Sequence, residues 1–134
     1  MKYITGIYAL NLNCNLDTCG DWHQSSINWD NVPLKESNDT FFEAYGLEYD
    51  KIIPNHKELF TTANHIRACL DMLIDRQFDS LQGMNKEFIC NDKYNEEIFS
   101  QVFKLNFLPY WEEIKIFMDK EYGKKWINYR KENI

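Results

Sequence analysis

The chain has 134 residues, 15 Lys and Arg against 21 Asp and Glu, a net charge of -6 and an aromatic content of 16%. That length suits one compact domain over residues 1–134 and is too short for two independent cores. An apolar fraction of 44% excludes global disorder, and the acidic balance repels a phosphate backbone, so nucleic acid is an unfavourable partner.

Lys2 to Asn13 places Tyr3, Thr5, Ile7 and Ala9 on one side and Ile4, Gly6, Tyr8 and Leu10 on the other. Both sides are largely apolar, which predicts a buried strand, and Gly6 with the β-branched and aromatic residues argues against a helix. Cys14 to Asn38 turns to Asn, Asp, Ser, Gly and Trp around Pro33, the composition of loops and turns, with room for a second short strand at Ser26 to Trp29. Phe41 to Pro54, with Gly46 and several aromatics, reads as an irregular segment over the core.

Thr61 or Thr62 is the expected cap of a helix from Ala63 to about Gln77, with Ile66, Cys69, Leu70, Leu73 and Ile74 as its buried face. Asn64, Arg67 and Asp71 share another face, expected to be a solvated stripe with an Arg67 to Asp71 ion pair. Phe78 to Met84 predicts a short helical turn. Asp92 or Asn95 then opens a helix that buries Ile98, Phe99, Val102 and Phe103. Pro109 begins another helix, with Trp111, Ile114, Phe117, Met118 and Tyr122 spaced for packing, and a last one runs through Trp126 and Tyr129. An α+β fold follows, a small N-terminal β element before a helical C-terminal half.

The four cysteines, Cys14, Cys19, Cys69 and Cys90, read as reduced thiols in a chain able to build a core without staples. No run of about 18 apolar residues is present, and the N-terminal stretch lacks a clean signal-peptide pattern, so the expectation is a cytoplasmic protein with no membrane role. The basic end, Lys124, Lys125, Arg130 and Lys131, reads as a helix face whose cations complement the helix dipole.

Chemistry concentrates in Cys14-Asn15-Leu16-Asp17-Thr18-Cys19-Gly20-Asp21-Trp22-His23. Thiolates and imidazoles suit zinc, so one reading is a metal site of Cys14, Cys19 and His23 with His65 or Cys69 as the fourth ligand, although C-x4-C-x3-H is not a diagnostic spacing. Another is nucleophilic catalysis with Cys19 as thiolate, His23 or His65 as base and Asp21 orienting the imidazole. In a purely structural reading the cysteines are small hydrophobes and the aspartates close turns. Glycine-rich phosphate loops, HExxH, the nucleophile elbow and the calcium loop are all missing from the sequence. Trp22, Trp29, Phe41, Phe42, Tyr45 and Tyr49, outside the strong helix signals, are the candidate anchors for a protein partner, and the acidic surround favours a basic one.

Tyr3-Ile4-Thr5-Gly6 with Ala9-Leu10-Asn11, the Thr18-Cys19-Gly20-Asp21-Trp22-His23 segment and Asn64-His65-Ile66-Arg67-Ala68 together resemble a group of small uncharacterised bacterial proteins associated with toxin–antitoxin or phage-defence genes. The resemblance carries over no functional residue. It implies an antitoxin-like role, neutralising a protein partner; the alternative, read from the residues themselves, is a small Cys/His-dependent enzyme or a zinc-stabilised domain centred on Cys14, Cys19, His23 and His65.

Overall fold

The computed structural model describes residues 1–21 and 27–133. Among the described residues the protein is mixed α+β, with two small antiparallel sheets and 51% helix. Strand β1 (Lys2–Tyr3) pairs with β2 (Lys35–Glu36), and β3 (Leu47–Lys51) pairs with β4 (Phe60–Ala63). Ile4 joins the two sheets. Its N–H donates to the Thr61 carbonyl at 2.9 Å and its carbonyl accepts from Ala63 N–H at 2.8 Å, a parallel bridge beside β4.

The buried strand expected over Lys2 to Asn13 is thus only its first few residues, and a helix, α1 (Gly6–Leu10), follows at once. Gly6 adopts φ +64°, which turns the chain from strand to helix, and the buried residues Gly6, Ala9 and Leu10 fall at helical spacing. A short run that is apolar all round fits either period, and here packing on the next helix decides. Residues 27–29 form no strand, and Ser26 lies outside the described residues. The segment expected to be irregular contains β3, whose pairing with β4 slips between Glu48 and Lys51, beside Asp50 at φ +57°.

Helix α2 (His65–Ile74) begins two residues later than expected. Thr62 and Ala63 belong to β4, and the cap is Asn64, whose Oδ1 accepts Arg67 N–H at 2.8 Å. Every residue from His65 to Leu73 is buried, because the sheets, α1 and the C-terminal helices surround α2. Helices α3 (Phe78–Leu81), α4 (Asn95–Phe103), α5 (Trp111–Tyr122) and α6 (Lys124–Glu132) follow, with a π-helical segment at Met84–Ile89 that the sequence did not announce. Ile66, Leu70 and Leu73 of α2 meet Ile98 and Val102 of α4, Ile114 and Met118 of α5 and Trp126 of α6 in one buried cluster. No helix among the described residues is long and apolar enough to cross a membrane.

The solvated stripe expected on α2 is a buried network. Arg67 and Asp71 are 0% and 2% exposed, and their ion pair closes at 3.0 Å. A buried guanidinium is costly unless all its donors are met, and this one is saturated. Nη1 donates to the carbonyls of Glu43 at 2.7 Å and Tyr45 at 2.6 Å, and Nη2 donates to the Tyr3 hydroxyl at 2.8 Å and Thr40 Oγ1 at 2.9 Å. Asp71 Oδ2 accepts from the Tyr3 and Thr5 hydroxyls at 2.7 and 2.8 Å. Burial, reinforced by the Asp71 charge, pushes the Tyr3 hydroxyl up to about 12.

Candidate functional site

Two residues before Arg67, the same helix builds a second polar group. His65 opens α2 and is 1% exposed, so its ring nitrogens need partners. Nε2 sits 2.6 Å from the Leu12 carbonyl, which can only accept, so Nε2 carries a hydrogen and donates. Nδ1 lies 2.7 Å from Thr18 Oγ1, and Thr18 Oγ1 lies 3.6 Å from Cys14 Sγ. The loop that supplies Leu12, Cys14 and Thr18 wraps closely over the ring. A Cβ on Gly20 would lie 2.7 Å from His65 Nδ1, so the imidazole leaves room only for glycine there.

Two proton arrangements satisfy these contacts. With both groups neutral, the Cys14 thiol donates to Thr18 Oγ1 and the Thr18 hydroxyl donates to Nδ1. With the proton moved, Nδ1–H donates to Thr18 Oγ1 and the Thr18 hydroxyl donates to a Cys14 thiolate. The surroundings favour the second arrangement more than bulk water would. Burial acts to raise the Cys14 thiol, but hydrogen bonding and charge from His65 outweigh it and hold the thiol below its ordinary value. Burial acts to lower His65, but Cys14, the Leu12 carbonyl and Glu48 carry it above its ordinary value. Glu48 is itself fixed, accepting from Asn15 N–H at 2.7 Å and pairing with Lys51 at 3.1 Å.

Of the residues expected to hold zinc, the structure brings Cys14 and His65 together. Cys19 is a correction, because its sulfur is bonded to Cys90, 71 positions away, with the Cα atoms 5.7 Å apart. Neither the reduced-thiol reading of these two cysteines nor the assignment of Cys19 as ligand or nucleophile survives that bond. Cys19 N–H and Gly20 N–H both donate to the Phe88 carbonyl at 3.0 Å, which seats the loop on the π-helical segment and aligns the two sulfurs. His23 lies outside the described residues. Among the described residues, no three His, Cys, Asp or Glu side chains are grouped to hold a metal ion. Cys69 is wholly buried, and that burial pushes its thiol well above the ordinary range. Thr18, which the sequence reading passed over, is the link between thiol and imidazole. Its hydroxyl carries no signal in a motif search for charged or metal-binding side chains.

The expected partner anchors separate. Trp29 and Phe42 are buried and belong to the core, a correction to their assignment as surface anchors, and Trp22 lies outside the described residues. Phe41 and Tyr49 are exposed and Tyr45 is half-buried. Phe41, 46% exposed, rests against Phe107, 60% exposed, with ring centroids 5.2 Å apart. The Tyr45 hydroxyl donates to Glu97. The loop 40–45 that carries these rings is the one tied down by Arg67, and Gly46, at φ +72°, ends it where a Cβ would come within 2.7 Å of the Arg67 Cβ.

No family model, curated protein or solved structure matches the chain. At the basic C-terminus, two of the four cations are ion-paired, Lys125 with Asp92 at 3.0 Å and Arg130 with Asp119 at 3.2 Å, as suits a helix end packed on an acidic protein.

Proposed function

We propose that the chain acts by binding another macromolecule, a protein with a basic surface, through Phe41, Phe107 and the loop 40–45. The observation that carries this reading is where Arg67 sends its hydrogen bonds. Nη1 and Nη2 reach the Glu43 and Tyr45 carbonyls and Thr40 Oγ1, three fixed points on the loop that presents Phe41 to solvent. A loop held from within loses little conformational freedom on binding, the main saving available to a pre-organised interface. Because Phe41 and Phe107 are already about half buried, covering what remains of each ring contributes about 1 kcal/mol of gross stabilisation. Asp39 and Glu43 place exposed carboxylates either side of Phe41, Glu97 of α4 meets the Tyr45 hydroxyl, and the net charge of -6 has the sign to steer a cationic partner.

The resemblance to bacterial proteins near toxin–antitoxin and phage-defence genes makes a toxic protein the first partner to try, with this chain as its neutralising mate.

The test is native mass spectrometry of the chain co-expressed with the products of its neighbouring genes. A stoichiometric complex with a basic protein is expected, lost in a Phe41→Ala, Phe107→Ala double variant whose melting temperature is unchanged. A complex that survives both substitutions, or a chain that stays alone, rejects the reading.

A further inference from the structure

We propose that Cys14 is a site of oxidation by hydroperoxides, with Thr18 and His65 as its proton relay. Neither Phe41 nor Phe107 takes part in this cluster. Attack on a peroxide needs a thiolate and, at the same moment, a proton for the departing hydroxide; alkylation by a simple halide needs only the first. The cluster holds both on one line of contacts, Cys14 Sγ to Thr18 Oγ1 at 3.6 Å and Thr18 Oγ1 to His65 Nδ1 at 2.7 Å. Cys14 is half-buried, open enough for a small reagent, while His65 behind it is closed to solvent.

The step balances within these groups. The thiolate electron pair attacks one oxygen of hydrogen peroxide, the S–O bond forms and the O–O bond breaks. The leaving hydroxide takes the proton stored on His65, delivered through the Thr18 hydroxyl. Cys14 becomes a sulfenic acid, oxidised by two electrons, the peroxide is reduced to water, and His65 returns to neutral imidazole with Nε2–H still on the Leu12 carbonyl. Glu48 of β3, paired with Lys51, acts on His65, and on the other side Cys14 acts on the buried Cys69 of α2, which also feels Glu121 of α5. Cys69 is too buried to compete for the reagent, and Cys19 and Cys90 are already bonded.

The experiment uses the full chain with its Cys19–Cys90 bond verified by mass, exposed to limiting hydrogen peroxide across a pH series. Sulfenic acid is trapped with a 1,3-diketone and located by peptide mass spectrometry. Label on Cys14 alone is expected, with a rate half-maximal below the ordinary thiol value of about 8.5. Thr18→Val should slow labelling about ten-fold or more near neutrality and move the midpoint up towards that value, while Thr18→Ser, which keeps the hydroxyl, should restore both. The proposal is overturned if folded wild-type protein labels at Cys14 no faster than urea-unfolded protein at the same pH. It is equally overturned if Thr18→Val, shown folded by circular dichroism, labels like wild type. Should Thr18→Val fail to fold, the wild-type midpoint and the Thr18→Ser rate still decide.

Discussion

His65 and Arg67 stand two residues apart on α2, both buried, and they meet the cost of a buried basic side chain in opposite ways. Arg67 is permanently charged and is surrounded by fixed acceptors and an ion partner, so its group has one state and serves as a rivet. His65 faces a hydroxyl that can donate or accept and a thiol that can give up its proton, so its group has two states separated by one proton. Saturation makes structure; an exchangeable proton makes chemistry.

The largest effect should come from breaking the rivet. Arg67→Met leaves Asp71 buried without its counter-ion and should cost about 3 to 5 kcal/mol in urea unfolding, with faster amide exchange across the loop 40–45. Cys90→Ser comes next on the chemical side of the helix. Releasing a link of 71 positions should cost about 4 kcal/mol on the chain-entropy estimate, read as a lower melting temperature that the wild type reproduces under reductant.

A smaller, paired effect should follow from the two glycines that each basic residue demands. Gly46→Ala forces a positive φ on alanine and crowds the Arg67 Cβ, at a cost of about 1 to 3 kcal/mol by thermal unfolding. Gly20→Ala displaces the His65 ring, so it should also move the pH midpoint of Cys14 alkylation by iodoacetamide upward, which Gly46→Ala should not.

The smallest effect concerns pH and global stability. His65, raised in the fold, contributes stability that is full below about 6.5 and is lost as pH rises through its folded value. Cys14, lowered in the fold, contributes stability that is full above about 8.5 and is lost as pH falls through its folded value. Near neutrality the two slopes oppose each other, so unfolding free energy should vary little there while thiol reactivity changes steeply. A marked stability slope between pH 6.5 and 8.5 that Cys14→Ser abolishes would show the pair uncoupled.

Helices that bury one face were legible: Ile98, Phe99 and Val102 of α4 and Ile114, Phe117 and Met118 of α5 are buried as their spacing predicts. Elements governed by tertiary context were not. In α1 the choice between helix and strand was made by packing, and in α2 the apparent polar stripe was drawn inward because Tyr3, Thr5, Thr40 and two carbonyls were waiting for it. The i, i+4 spacing of Arg67 and Asp71 announced a pair but not its burial. Likewise Cys14 and His65 could be chosen for their chemistry, whereas the union of Cys19 with Cys90 depends on a fold that brings together positions 71 apart.

That bond also changes what the molecule is as an object. Residues 19 to 90 form a closed ring containing β2, β3, β4, α2 and α3, with β1 and α1 attached before it and α4, α5 and α6 after it. A protease entering at the exposed Lys57 and Glu58, in the turn between β3 and β4, would open the ring without dividing the molecule. The two pieces would migrate as one on a non-reducing gel and part only when reductant is added, so survival of a nick would be set by the redox state of the surroundings.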